Sequence, residues 1–306
     1  VYSPRQGWIA NWNNSPQQGY PASDLFAFLW GGADRVVEID QRISAKPTLS
    51  SDDMWQILKE TSAVDVNRQH FLPFIQRAAE KLPADDSRRA IVSLLVQWDG
   101  QNRDPQHTGK YDTAGSAIMD AWLTAMLERS LGKVVPTPYN KWFLASGYAA
   151  PQDGPTGSAN ISNGSKILYE SLRGKESAVA PRFDIFAGQS TDDVIAAALR
   201  DVEQKLSAQW GNDPAAWRTP TVPLTFRAQN FFGVPQANAN EAVRTPVYMN
   251  RGTENDLIVF GAKGQSGQPA PVLAYDVVAP GQSGFIAPNG TPSPHYADQL
   301  KLYTDY

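Results

Sequence analysis

The chain has 306 residues, 42% hydrophobic and 19% charged, with 23 glycines and 23 prolines, enough for one large globular domain or two smaller ones. A formal net charge of −4, with no cluster of Lys and Arg to offset it, excludes a nucleic-acid footprint. Cysteine is absent, which excludes disulfides, thiolate metal sites and cysteine nucleophiles.

The opening VYSPRQGWIANW predicts a turn around Ser3-Pro4 and then a short apolar strand from Trp8 to Trp12. It has neither the charged nor the apolar region of a secretory signal. Chain ends are usually polar and frayed, so one that runs directly into a core strand reads as the middle of a protein, a fragment or a processed chain. From Ser23 a helix in two pieces is expected as far as Ile43, interrupted at Gly31-Gly32. Ser51-Asp52 then caps a segment carrying Met54, Trp55, Ile57 and Leu58. Further helices are predicted over 68–82, 86–98 and 115–131. In the last of these Ile118, Met119, Trp122, Leu123, Met126 and Leu127 recur at the 3.6-residue period. Two more are expected over 165–172 and 192–210, the second opened by Ser190-Thr191.

The pattern changes after Trp217. TVPLTF, PVYMN, DLIVFG, PVLAYDVVAP and SGFIAP are short β-type runs divided by Gly, Pro and Asn, with AKGQSGQPAP as a hairpin loop. A last helix is predicted over 295–303. Strand, helical middle and strands in that order imply a sheet assembled from distant segments around a helical insertion. No run of about 18 apolar residues is present, so no membrane span is expected.

Catalytic motifs are scarce. Gly281-Gln282-Ser283-Gly284 falls one residue short of a nucleophile elbow and reads as a Gly-rich loop. Ser130-Leu131-Gly132-Lys133 satisfies S-x-x-K but lacks its companion motifs, so helix C-capping is the simpler reading. His70, His107 and His295 lie far apart among polar residues, as surface or turn histidines would. Asp24 follows the expected cap Ser23 and suits a helix N-terminus; it also suits one corner of a hard-cation site. Arg251 to Asp256 reads as a salt-bridged turn. The sequons at Asn13, Asn160, Asn163 and Asn289 read as turn chemistry. In IANWNNSP, Asn11, Asn13 and Asn14 surround Trp12; such amides either cap their own backbone or hold a negatively charged oxygen during a reaction.

Several long segments resemble the penicillin G acylase (penicillin amidase) family, in that family's order: IANWNNSP, YPASDLFAFLWGGADRVVEID, SGYAAPQDGPTGSANIS, LTFRAQNFFGVPQA, NRGTENDLIVF and YDVVAPGQSGFIAPNGT. Together they cover nearly the whole chain and resemble the C-terminal part of the family's large β chain. Members are N-terminal nucleophile hydrolases, made as periplasmic precursors that cut themselves into α and β chains. The resemblance implies an α+β piece of an αββα sandwich. Residues 1–45 would belong to its core, 46–217 would form a mainly helical lobe, and 218–306 would return to the core and end in a helix. It implies hydrolysis of penicillin G to 6-aminopenicillanic acid through an acyl-enzyme on an N-terminal serine that this chain, beginning at Val1, does not contain. The partners implied are the N-terminal part of the β chain and the α chain, with a β-lactam or phenylacetyl amide as substrate. In this family pattern Asn13 matches the oxyanion-hole asparagine, Arg35 an arginine near the nucleophile, and Asp24 a ligand of structural calcium. Asp256 and Arg251 match structural support near the active centre. Related acylases for acyl-homoserine lactones or glutaryl cephalosporins, and a non-catalytic scaffold lobe, are the alternative expectations.

Overall fold

The computed structural model describes residues 4–11, 36–144, 163–177, 181–226, 241–245, 254–261, 267–268, 270–278, 291 and 293–305. Ten helices are found among them: α1 (Val36–Ser44), α2 (Ser51–Ala63), α3 (Val66–Glu80), α4 (Arg88–Gln97), α5 (Gly115–Arg129), α6 (Leu131–Val134), α7 (Lys141–Leu144), α8 (Asn163–Arg173), α9 (Thr191–Trp210) and α10 (Tyr296–Asp305). The strands are β1 (Val222–Phe226), β2 (Glu241–Thr245), β3 (Glu254–Phe260) and β4 (Val272–Val278). Helices α1 to α9 come first, the four strands follow and α10 comes last, an α+β order.

The centre of the helical part is α5. A helix at the edge of a core shows one apolar stripe, whereas one apolar nearly all round must be enclosed. Small residues between the predicted apolar ones make α5 the enclosed kind: Gly115, Ser116, Ala117, Ala121 and Ala125 are buried along with Ile118, Met119, Trp122, Leu123, Met126 and Leu127. Only Asp120, Thr124, Glu128 and Arg129 reach toward solvent, the first three spaced i, i+4, i+8 as a thin polar line. Around α5 pack Phe71 and Ile75 of α3, Ile91 and Leu95 of α4, Leu168 of α8, and Val194, Ile195, Ala198, Leu199 and Val202 of α9, with Trp217 closing the end. Arg129 ties α5 to Asp201 of α9 through two hydrogen bonds, and Asp192 of α9 receives both Arg77 and Lys81 of α3.

Local signals set the helix ends. Ser50 caps α2: its hydroxyl accepts from the Asp53 amide while Asp53 accepts from the Ser50 amide, a reciprocal capping box. The expected cap, Ser51, is instead the first helical residue, because only Ser50 has an acid three positions on. Asp65 starts α3 by accepting from Asn67, two residues before the predicted start. At the other end of α3, Arg89 donates to the carbonyls of Glu80 (3.0 Å), Leu82 (2.6 Å) and Pro83 (2.9 Å). The Pro83 carbonyl also accepts from the Asp86 N–H (3.1 Å), whereas the last carbonyls of a helix lack helical donors, and the Arg side chain supplies one to Glu80. Arg89→Ala is expected to cost about 1–2 kcal/mol, read as a lower urea midpoint at unchanged m. An unchanged midpoint would mean that water caps α3 equally well.

The close packing also rests on glycine. A Cβ at Gly115 would lie 2.2 Å from the Trp98 ring, so α5 starts flat against an indole. That indole is 3% exposed, and its N–H donates to the Gln101 carbonyl at 2.9 Å. Residues 98–102 then fold back on the α2–α3 junction: Asn102 N–H donates to Ala63 (2.9 Å), and Asp65 N–H to Gly100 (2.7 Å). Gly100 makes that return with φ +85°, a left-handed conformation that favours glycine. At this junction Thr61, Gln101, Asn102 and Ser116 are buried, and each has side-chain polar atoms without a hydrogen-bond partner among the described residues. A buried polar group left unsatisfied costs about 1–3 kcal/mol.

Both strand pairs are antiparallel: β1 with β2, from Val222↔Thr245 to Phe226↔Glu241, and β3 with β4, from Glu254↔Val278 to Phe260↔Val272. The second register makes residues 261–271 the predicted hairpin connection. β2 lies in EAVRT, which the sequence reading passed over for PVYMN, a run outside the described residues. Helix α10 packs on β4 and β2, and α2 touches β3. At the opening, Gly7 N–H donates to Pro4 (2.9 Å), the expected turn. Residues 8–11, however, are not in a strand, and Ile9 is 64% exposed. Among the described residues no strand lies beside them, and a strand needs a ladder partner.

Candidate functional site

Asn13, Asp24 and Arg35 fall in residues 12–35, outside the described residues; what the structure gives is the frame on either side. Upstream, the turn at Pro4–Gly7 leads to Asn11, which is exposed. Downstream, Arg35 is followed directly by α1, whose anchoring is electrostatic. Arg42 reaches Glu38 one turn back (3.6 Å) and also pairs with Glu60 of α2. Burial pushes the Glu38 carboxyl above its ordinary pKa, opposed by the positive charges of Arg42 and Arg68. Ile43 is the buried residue of this helix. The helix that begins after residue 35 is thus held on α2 by a partly buried ion network.

The motif serine at Ser130 is structural. Its hydroxyl is buried and donates to the Met126 carbonyl at 2.6 Å, while Lys133 is exposed. A serine occupied in this way has no base beside it to remove its proton. The chain also runs on after Ser130 into α6, so Gly132-Lys133 is inside a short helix rather than at a C-cap.

Of the three histidines, two sit as expected. His107 occupies a turn with φ 51°, and exposed His295 meets Asp298 at 3.0 Å. His70 does not sit at the surface: it is half-buried on α3, edge-on to Tyr169 of α8 at 5.0 Å between ring centroids. Gln69 and Arg68 beside it made the position look polar, but the helix turns residue 70 toward α8. Burial pushes its pKa down to about 4, so the ring is neutral at pH 7. The unfolded chain binds this proton near pH 6.5 and the folded one only near 4. Stability from this group is thus complete above pH 6.5 and lost as pH falls toward 4. Between pH 7.5 and 4.5 the loss is expected to be roughly 2–3 kcal/mol. His70→Phe should remove that share of the pH dependence in urea titrations; an equally steep wild-type and variant response would place the acid sensitivity elsewhere.

Arg251 lies outside the described residues. Asp256 stands on β3 directly opposite Asp276 of β4, and both are exposed. The same two strands leave Ile258, Phe260, Val272, Leu273 and Tyr275 more than half exposed or at half. Among the described residues no group of three or more His, Asp or Glu is placed to hold a metal ion, and no helix is long and apolar enough to cross a membrane. The described residues hold no nucleophile–base pair in the positions that the sequence motifs suggested.

The comparisons with known proteins agree with one another. The penicillin amidase family model matches residues 1–306. A penicillin G acylase of Escherichia coli is 53% identical over 306 residues, which are 100% of this chain and 36% of that protein. Among solved structures, a thermostable penicillin G acylase from Alcaligenes faecalis in an orthorhombic crystal form superposes with a TM-score of 0.82 at 34% identity. That match covers 99% of this chain and 53% of the other. The chain thus spans about a third of one relative and about half of the other. A family match along the full length, joined by close relatives in sequence and in structure, means that this chain belongs to the penicillin amidase family.

Proposed function

We propose that this chain is part of an amide hydrolase of the penicillin G acylase type, which removes a phenylacetyl group from penicillin G and leaves 6-aminopenicillanic acid. The observation that carries this reading is the 53% identity, over every residue of the chain, to a protein named penicillin G acylase. In this reading the nucleophile is an N-terminal serine outside this sequence. Its attack on the amide carbonyl gives an acyl-enzyme, which water then hydrolyses.

Asn13 donates its side-chain N–H to the oxyanion as the carbonyl oxygen gains charge. A fixed neutral donor does this without reorganising. Arg35 orients groups near the nucleophile and favours a neutral amine there. Asp24 supplies one carboxylate to a structural calcium; the hard oxygen donor suits that ion, and the other ligands come from outside this chain. The N-terminal part of the β chain and the α chain of a self-cleaving periplasmic precursor are the partners.

The strand pairs support an αββα sandwich shared with those partners. A lone two-stranded ribbon is marginal in water, and β3–β4 exposes Ile258, Phe260 and Val272 on one face and Leu273 and Tyr275 on the other. Such a ribbon is suited to continuation into larger sheets.

The test is to express the full gene, read the N-terminus of the large mature chain, and assay chromogenic anilides. A mature chain beginning with serine and preferring a phenylacetyl anilide bears out the proposal. Preference for a glutaryl or long acyl group would move the specificity to a related acylase, and a folded, processed but inactive protein would overturn hydrolysis altogether.

A further inference from the structure

The junction of α2, α3, the 98–102 segment and the start of α5 contains more buried polarity than its protein contacts satisfy. Asn102 is 0% exposed and Gln101 3% exposed, yet neither the amide nitrogen nor the oxygen of either side chain has a partner among the described residues. The hydroxyls of Thr61, in the last turn of α2, and Ser116, in the first turn of α5, are in the same condition. The segments that carry these side chains meet in one neighbourhood. Asn102 N–H bonds Ala63, Gln101 bridges Val64 in antiparallel register, and the Gly115 end of α5 lies against Trp98, whose N–H holds the Gln101 carbonyl.

Buried donors and acceptors in native proteins are almost always satisfied, and this many left dry would consume a large part of a domain's net stability. The chemistry of the set selects the occupant. Two primary amides and two hydroxyls offer donors and acceptors together, so the ligand must both accept and donate. Among the described residues no group of three or more acidic or histidine side chains is placed to hold a metal ion, so a bare cation has no ligand set here. The near-zero exposure excludes an incoming peptide segment. We propose that this junction is a built hydration site, in which ordered waters bridge the Asn102 and Gln101 amides to the Thr61 and Ser116 hydroxyls. Buried waters elsewhere typically make about three hydrogen bonds each, which matches a site with this many free partners. The waters act as a non-covalent staple between the α2–α3 turn and the α4–α5 loop.

The test is a high-resolution crystal structure of the full-length protein, with water residence measured by oxygen-17 relaxation dispersion in solution. Density for ordered water within hydrogen-bond distance of both Asn102 amide atoms, with long-lived waters in dispersion, is the expected result. Asn102→Leu should remove at least one long-lived water and lower the thermal midpoint. A dry junction, direct pairing of these amides with protein groups, a bound ion in their place, or an Asn102→Leu variant that melts higher than wild type would each overturn it.

Discussion

Asn13→Ala in the full-length enzyme is expected to lower kcat at least a hundredfold while KM for a phenylacetyl anilide changes little. The split follows from the proposed role. A donor that meets the oxygen only when it becomes an oxyanion stabilises the transition state and not the bound substrate. Removing one such donor from other hydrolases costs about 2.7–4 kcal/mol of transition-state stabilisation. A near-normal kcat would take Asn13 out of the oxyanion hole and return it to the class of turn amides. A raised KM with unchanged kcat would make it a substrate-binding residue instead.

Gly115→Ala should give a large loss of stability for a single added methyl group. In an ordinary helix interior this change gains about 1 kcal/mol. Here the new carbon would stand 2.2 Å from the Trp98 ring, which is buried and fixed by its bond to Gln101. With no exposed side for the indole to move into, overpacking should outweigh the propensity gain and give a net loss of about 3 kcal/mol. The check is a double-mutant cycle in urea. In a Trp98→Leu background the same glycine substitution should be close to neutral, because the clashing ring is gone. Equal costs in both backgrounds would mean that the strain lies in the backbone and not against Trp98.

How far the sequence reached depends on what kind of signal each feature leaves. The period of Ile118, Met119, Trp122 and Leu123 located α5, because burial of long side chains repeats with the helix. Its full enclosure was carried by Gly115, Ala117, Ala121 and Ala125, small residues that look neutral until neighbours are packed on them. Ser50 and Ser51 are both good caps by type. Only the acid at Asp53 distinguishes them, and the local pattern held that information. β2 was missed because Glu241 and Arg244 dilute a strand whose identity comes from pairing with β1. His70 was misread because the side of a helix that faces a neighbour 100 residues away is not marked by adjacent residues. Asn13 and Asp24 have open readings from the residues alone, as turn amide or oxyanion donor and as helix cap or cation ligand; family resemblance chose between them and added Arg35. In the divided site proposed above the chemistry is spread over chains, so the spacing within one of them shows little.

The enclosure of α5 has a consequence for how the lobe opens. A helix with neighbours on nearly every side has no face that water can reach by fraying. The amides of residues 119–127 should therefore exchange with deuterium only when α3, α4, α8 and α9 separate together. Those amides form the slowest-exchanging unit of the lobe, while α1 and the ends of α10 exchange through small local openings. Protection in the middle of α5 then reports the free energy of opening the whole lobe.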